Sequence, residues 1–122
     1  MVIAGVTDYG AADFVPSHAS NPKAALDGSP PDTVKILLAH QPKSIFDAEA
    51  VGTHLQLSGH THGGQFFPWD NLARLAQPYL KGLHRHGKAW IYVNRGVGYW
   101  GPPIRIGIPP EITVVNLTAS LD

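Results

Sequence analysis

Val34-Lys35-Ile36-Leu37-Leu38-Ala39 is apolar at five of its six positions. It is too short for a stable helix and rich in branched side chains, so it reads as a strand covered on both faces. Such strands belong to layered α/β arrangements, which sets the frame for the rest of the chain. Val2-Ile3-Ala4-Gly5-Val6 is a second short strand. His54-Leu55-Gln56-Leu57-Ser58 alternates polar and apolar residues, the mark of a half-buried strand. Gly82 to His86 and Ala89 to Asn94 flank Gly87-Lys88, and glycine in first place predicts a type II′ hairpin. Glu111 to Leu117 alternates again and predicts a final strand.

Helices are predicted between the strands. Asn21-Pro22 is an N-cap followed by a first-turn proline, opening a short helix over Lys23 to Asp27 that stops at Gly28. Pro42 introduces another over Lys43 to Val51, closed by Gly52. A third, over Trp69 to Leu80, carries Leu72, Leu75, Ala76 and Leu80 at helical spacing and is interrupted at Pro78. Thr7 to Ser20 and Arg95 to Pro110 read as loops. No repeat or linker divides the 122 residues, so one domain with one core is expected.

Composition excludes several classes of function. With no cysteine, disulfides, thiolate metal sites and a cysteine nucleophile are ruled out. A formal charge of zero offers no basic surface for nucleic acid. No stretch is apolar enough to span a membrane and no signal-peptide pattern is present, so a soluble, by default cytoplasmic, protein is expected.

Chemistry concentrates at the histidines. His40 directly follows one strand, and His60 and His62 follow another inside Gly59-His60-Thr61-His62-Gly63-Gly64. Ligands in α/β proteins gather on loops leaving strand ends. If the two strands are parallel neighbours, the three imidazoles share one cleft, with His60 and His62 pointing the same way from extended backbone. Converging neutral imidazoles suit zinc, manganese, iron, cobalt or nickel. The bland alternative is a glycine-rich turn bearing exposed histidines.

The ordered stretches ILLAHQP, LSGHTHGGQ and NRGVGYWGPPIRIGIPPEI also resemble the C-terminal half of a calcineurin-like metallophosphoesterase, in the bacterial branch carrying Gly-His-Thr-His-Gly-Gly-Gln. The resemblance covers essentially the whole chain. It implies half of a four-layer α/β/β/α sandwich, a mixed sheet with short flanking helices. It further implies a phosphomonoesterase or phosphodiesterase using divalent metal, with His40 and His60 on one ion, His62 on a second, and a shared hydroxide attacking phosphorus. His60, His62 and Arg95 would then carry catalysis on a small phosphoester.

The same family uses an Asp-x-His, a Gly-Asp and an Asn-His motif, and this chain contains none of them. Three imidazoles bring no negative charge, so two close dications would repel each other strongly. Three outcomes follow. One ion binds, completed by water or by Asp8 or Asp13; two chains pair into a dimer that pools histidines and covers the open sheet; or the chain is a non-catalytic relative that folds and self-associates.

The remaining residues carry paired readings. Arg95, in Asn94-Arg95-Gly96, either grips a phosphate oxygen or ties its loop to carbonyls. Gln65 is a candidate for orienting the histidine loop from behind. His18, His54, His84 and His86 are expected in solvent, and Trp69, Trp90 and Trp100 in the core or at the lip of the site.

Overall fold

Strands β1 (Val2–Gly5), β2 (Lys35–Leu38), β3 (Leu55–Ser58), β4 (Gly82–His86) and β5 (Ala89–Val93) form one sheet in the order β1-β2-β3-β5-β4 in the computed structural model, which describes residues 1–118. β1, β2, β3 and β5 are parallel, and β4 closes the edge antiparallel to β5. The chain is thus α/β with a mixed sheet, as its apolar patterning predicts. Gly87 has φ +55° and Lys88 does not share the left-handed region, which is the signature of the predicted type II′ hairpin.

Three helices accompany the sheet: α1 (Pro22–Ala25), α2 (Ile45–Ala50) and α3 (Trp69–Ala76). The Asn21 side chain caps α1 by accepting from the Ala24 amide at 2.9 Å. The helix predicted from Lys43 begins as a tight turn over Pro42–Ser44 and becomes α-helical at Ile45. α3 stops at Ala76 because Gln77 is extended, as a residue before proline prefers.

Register fixes which side chains share a face. Ala4 aligns with Leu37, Leu37 with Gln56 and Gln56 with Ile91. Ile45 and Ala48 of α2 seal this face, Ile45 over Ala89, Ile91 and Val93, and Ala48 over Leu37 and Ala39. The opposite face is mostly uncovered, although Ile36 on it is buried. Ile3 is 59% exposed, Leu38 46%, Leu83 58% and Trp90 42%. The expectation that the Val34–Ala39 run is covered on both sides holds at Ile36 and Leu37, which are both buried, but not at Val34 and Leu38, which are exposed.

The predicted strand over Glu111 to Leu117 does not form. Its backbone joins no ladder, and side chains hold it instead. Tyr92 and Asn94 bond Glu111 and Thr113, and the Glu111 amide donates to the Gly96 carbonyl at 3.0 Å. Alternating side chains mark a chain suited to pairing, but no neighbouring strand is available to pair with it. His84 and His86 are also drawn in from solvent. Tyr79 stacks on His84, with ring centroids 4.6 Å apart, and its hydroxyl lies 3.0 Å from His86 Nδ1.

Candidate metal centre

The site is assembled where β2 and β3 end side by side. Their parallel pairing carries on past the strands, with the Gly59 amide donating to the His40 carbonyl at 3.1 Å. A buried polar pair braces this junction. Ser58 Oγ donates to the Ala39 carbonyl at 2.7 Å, and Gln56 Nε2 donates to Ser58 Oγ at 2.8 Å. Gln56 lies wholly inside the core, so its amide has no water to turn to and holds the turn that presents His40.

After Ser58 the backbone coils rather than extends. His60, His62 and Gln65 have φ of +69°, +49° and +57°. Left-handed backbone costs a side-chain-bearing residue about 1–3 kcal/mol, and such strain clusters at functional loops. Gly63 and Gly64 make the coil possible. A Cβ on Gly63 would sit 2.8 Å from Ile108 Cγ2, and one on Gly64 would sit 2.5 Å from Asp70 Cβ. The extended geometry expected for His60 and His62 is thus corrected, although both residues line one groove.

The two rings meet different partners. His60 Nδ1 lies 3.2 Å from His40 Nε2, and the ring planes cross at 81°. His62 Nδ1 lies 3.2 Å from Nη2 of Arg105. The Arg105 guanidinium is itself anchored on the carbonyls of Arg95 and Gly98 at 2.8 Å and 2.5 Å. Arg105 carries no local signature in the sequence, since it lies in a loop whose glycines and prolines suggest only a connector.

Burial lowers the pKa of both His60 and His62. For His60 the next cause is the neighbouring His40, with Asp8 opposing; for His62 it is the Arg105 charge. Both imidazoles are therefore neutral near pH 7, the form that carries a free lone pair.

The other predicted residues surround the histidines without joining them. Asp8 Oδ1 accepts from the Gly10 amide at 2.9 Å and from Gln41 Nε2 at 2.8 Å, so it builds its own turn. Arg95 pairs through Nε with Glu111, and its stem packs beneath Gly63, which favours the tying role over the phosphate-gripping one. Asn94 Oδ1 accepts from the Gly96 amide at 2.6 Å. Gln65 is buried and clasps the distant loop, accepting from the Trp100 amide at 2.6 Å and donating to the Trp100 carbonyl at 2.7 Å.

Two nitrogens bonded to one ion at about 2.1 Å each stand roughly 3.0–3.4 Å apart, so the His40–His60 spacing fits one dication. Among the described residues no group of three His, Asp or Glu converges on a common point. The donor set thus suits a single ion with solvent completing its shell, and lacks the negative charge that two ions require.

No protein-family model matches the chain, and no solved structure matches it. Curated relatives do. An uncharacterized metallophosphoesterase of Helicobacter pylori is 48% identical over 120 residues, 94% of this chain and 31% of the relative. A Bos taurus transmembrane protein with metallophosphoesterase domain is 40% identical over 123 residues, 97% of this chain and 28% of the relative. The uncharacterized metallophosphoesterase YkuE of Bacillus subtilis is 39% identical over 89 residues, 70% of this chain and 31% of the relative. The chain spans less than a third of the length of each of these relatives, in keeping with a C-terminal half of the catalytic domain. By descent of sequence it belongs with the metallophosphoesterases.

Proposed function

We propose that this chain takes part in divalent-metal-dependent hydrolysis of a small phosphoester, with His40 and His60 holding one ion at the ends of β2 and β3. The observation that carries this reading is the 3.2 Å approach of the His40 and His60 imidazole nitrogens from adjacent strand ends. A dication there supplies Lewis-acid polarisation of a phosphoryl oxygen and a water of lowered pKa. The chain's own residues position and desolvate. His62, braced by Arg105, presents a second imidazole from the same loop, and Gln65 holds the wall of the cleft beside it. Whether the ester is a monoester or a diester, and whether the metal is Mn, Fe, Zn, Co or Ni, is set by groups beyond these donors.

A second reading has its own support. Because among the described residues no carboxylate joins the imidazoles, the chain alone is a non-catalytic metal-binding relative, and a second copy or a complementary chain completes the site. The open sheet face, with Ile3, Leu38, Leu83 and Trp90 exposed, suits such a partner.

One set of measurements tests both. Mn²⁺ or Zn²⁺ binding is followed by calorimetry, hydrolysis of a chromogenic phosphate ester by absorbance, and mass by light scattering. Binding lost in His40→Ala and His60→Ala, with turnover confined to a species of twice the chain mass, supports the paired site. Binding unchanged in both variants overturns the ligand assignment.

A further inference from the structure

A groove of about 350 Å³ opens beside the histidines. Volumes of this order hold small organic ligands. His60, Thr61 and His62 form one end. Along the side, α3 contributes Trp69, Leu72, Ala73 and Ala76, and Trp100 stands next to them. The α3 residues fall at i, i+3, i+4 and i+7, the apolar stripe of an amphipathic helix. Such a stripe ordinarily seals a core, yet no residue of α3 is buried. Trp69 and Trp100 stack with ring centroids 5.2 Å apart, giving the groove a flat aromatic wall.

The polar side chains in the lining are already engaged. Thr61 Oγ1 donates to the Leu80 carbonyl at 2.5 Å. Gln65 is committed at both ends to Trp100. Gln77 accepts from the Lys43 amide at 3.1 Å and donates to Gln41 Oε1 at 3.0 Å. Among the described residues no acidic or basic side chain lines the groove apart from the two histidines. A sugar or nucleoside would bring hydroxyls and ring nitrogens into this space and lose their water without replacement. An aliphatic chain meets no such cost, and Ala73 and Ala76 leave room for one.

We infer that the groove is a substrate subsite for an alkyl chain, so that the phosphoester recognised here carries an aliphatic group with its phosphate at the imidazoles and its tail along α3. The inference rests on the phosphoester reading for its polar end and on the groove alone for its apolar end.

The test uses the full chain with matched series of alkyl phosphates and alkyl alcohols, from methyl to decyl, below their micelle concentrations. Tryptophan fluorescence reports binding. Each methylene that enters the groove is expected to tighten binding by up to about fourfold. Ala73→Phe and Ala76→Phe fill the groove and should abolish that dependence while leaving Mn²⁺ affinity and the circular dichroism spectrum unchanged. Leu72→Asn, which alters polarity without filling space, should weaken it. Equal affinity for methyl and decyl phosphate, or a dependence that persists in both phenylalanine variants, overturns the subsite. Chain-length dependence with phosphates binding no tighter than alcohols upholds the groove and overturns the phosphoester reading. Phosphatidylcholine vesicles carrying phosphatidic acid separate the two sources of such a chain. Co-sedimentation lost in Ala73→Phe assigns a bilayer lipid; none, beside tight decyl phosphate binding, assigns a dissolved ester.

Discussion

His40 and His60 meet edge to face, their ring centroids 5.0 Å apart, although twenty positions separate them in the chain. Parallel pairing of β2 with β3 makes this contact, so metal capture should report on the fold. With Zn²⁺ at a hundred times its dissociation constant, unfolding should be opposed by about 2.7 kcal/mol. His40→Ala and His60→Ala should each remove that gain, and His62→Ala should remove less of it. Thermal melts with and without Zn²⁺ check this.

Gly64 leaves no room for a side chain. Its φ of +89° and the 2.5 Å approach of an added Cβ to Asp70 Cβ combine a backbone cost with a clash against α3. Gly64→Ala should destabilise by about 3 kcal/mol or more. Gly28 also has positive φ but nothing within 4 Å, so Gly28→Ala should cost only about 1 kcal/mol. Urea denaturation of the pair separates clash from conformation.

Gln65 is the clasp between the histidine loop and the Trp100 segment. Gln65→Ala removes its bonds to the Trp100 amide and carbonyl and strands those groups, for a loss of about 2–3 kcal/mol. Near-ultraviolet dichroism of Trp69 and Trp100 should fall with it, because their stack depends on that segment staying in place.

Stability should be greatest between mildly acidic and mildly alkaline pH. His60 and His62 have folded pKa values below their ordinary 6.5, so their contribution is present above 6.5 and is lost as pH falls through the lowered values. Glu111 is also lowered, by the Tyr92 hydroxyl first, so its contribution is present above 4.5 and is lost in stronger acid. Tyr92 is raised above 10.0, chiefly by burial, so its contribution holds below 10.0 and fades as pH rises through the raised value. Urea midpoints measured across pH check the three limbs, and Tyr92→Phe should alter the alkaline limb.

Much of this was legible from residue patterns. The five strands, the Asn21 cap and the hairpin at Gly87 follow from local chemistry, which the fold respects. The meeting of His40 with His60 was legible because strand-end position and parallel pairing decide it together. What was not legible depended on partners distant in sequence. The coil at His60 and His62 is imposed by packing of Gly63 and Gly64 against Ile108 and Asp70, residues with no local signature. Arg105 acquires its importance only when its loop folds back on His62. The strand predicted over Glu111 to Leu117 failed because alternation describes a willingness to pair, and pairing needs a neighbour.

The one-sided coat of helices gives the sheet two chemically unequal surfaces. Hydroxyl-radical footprinting would read them apart: Ile3, Leu83 and Trp90 should take up oxygen, while Ile91 and Val93 stay silent. Whatever quiets the first set identifies what covers the exposed surface of this sheet.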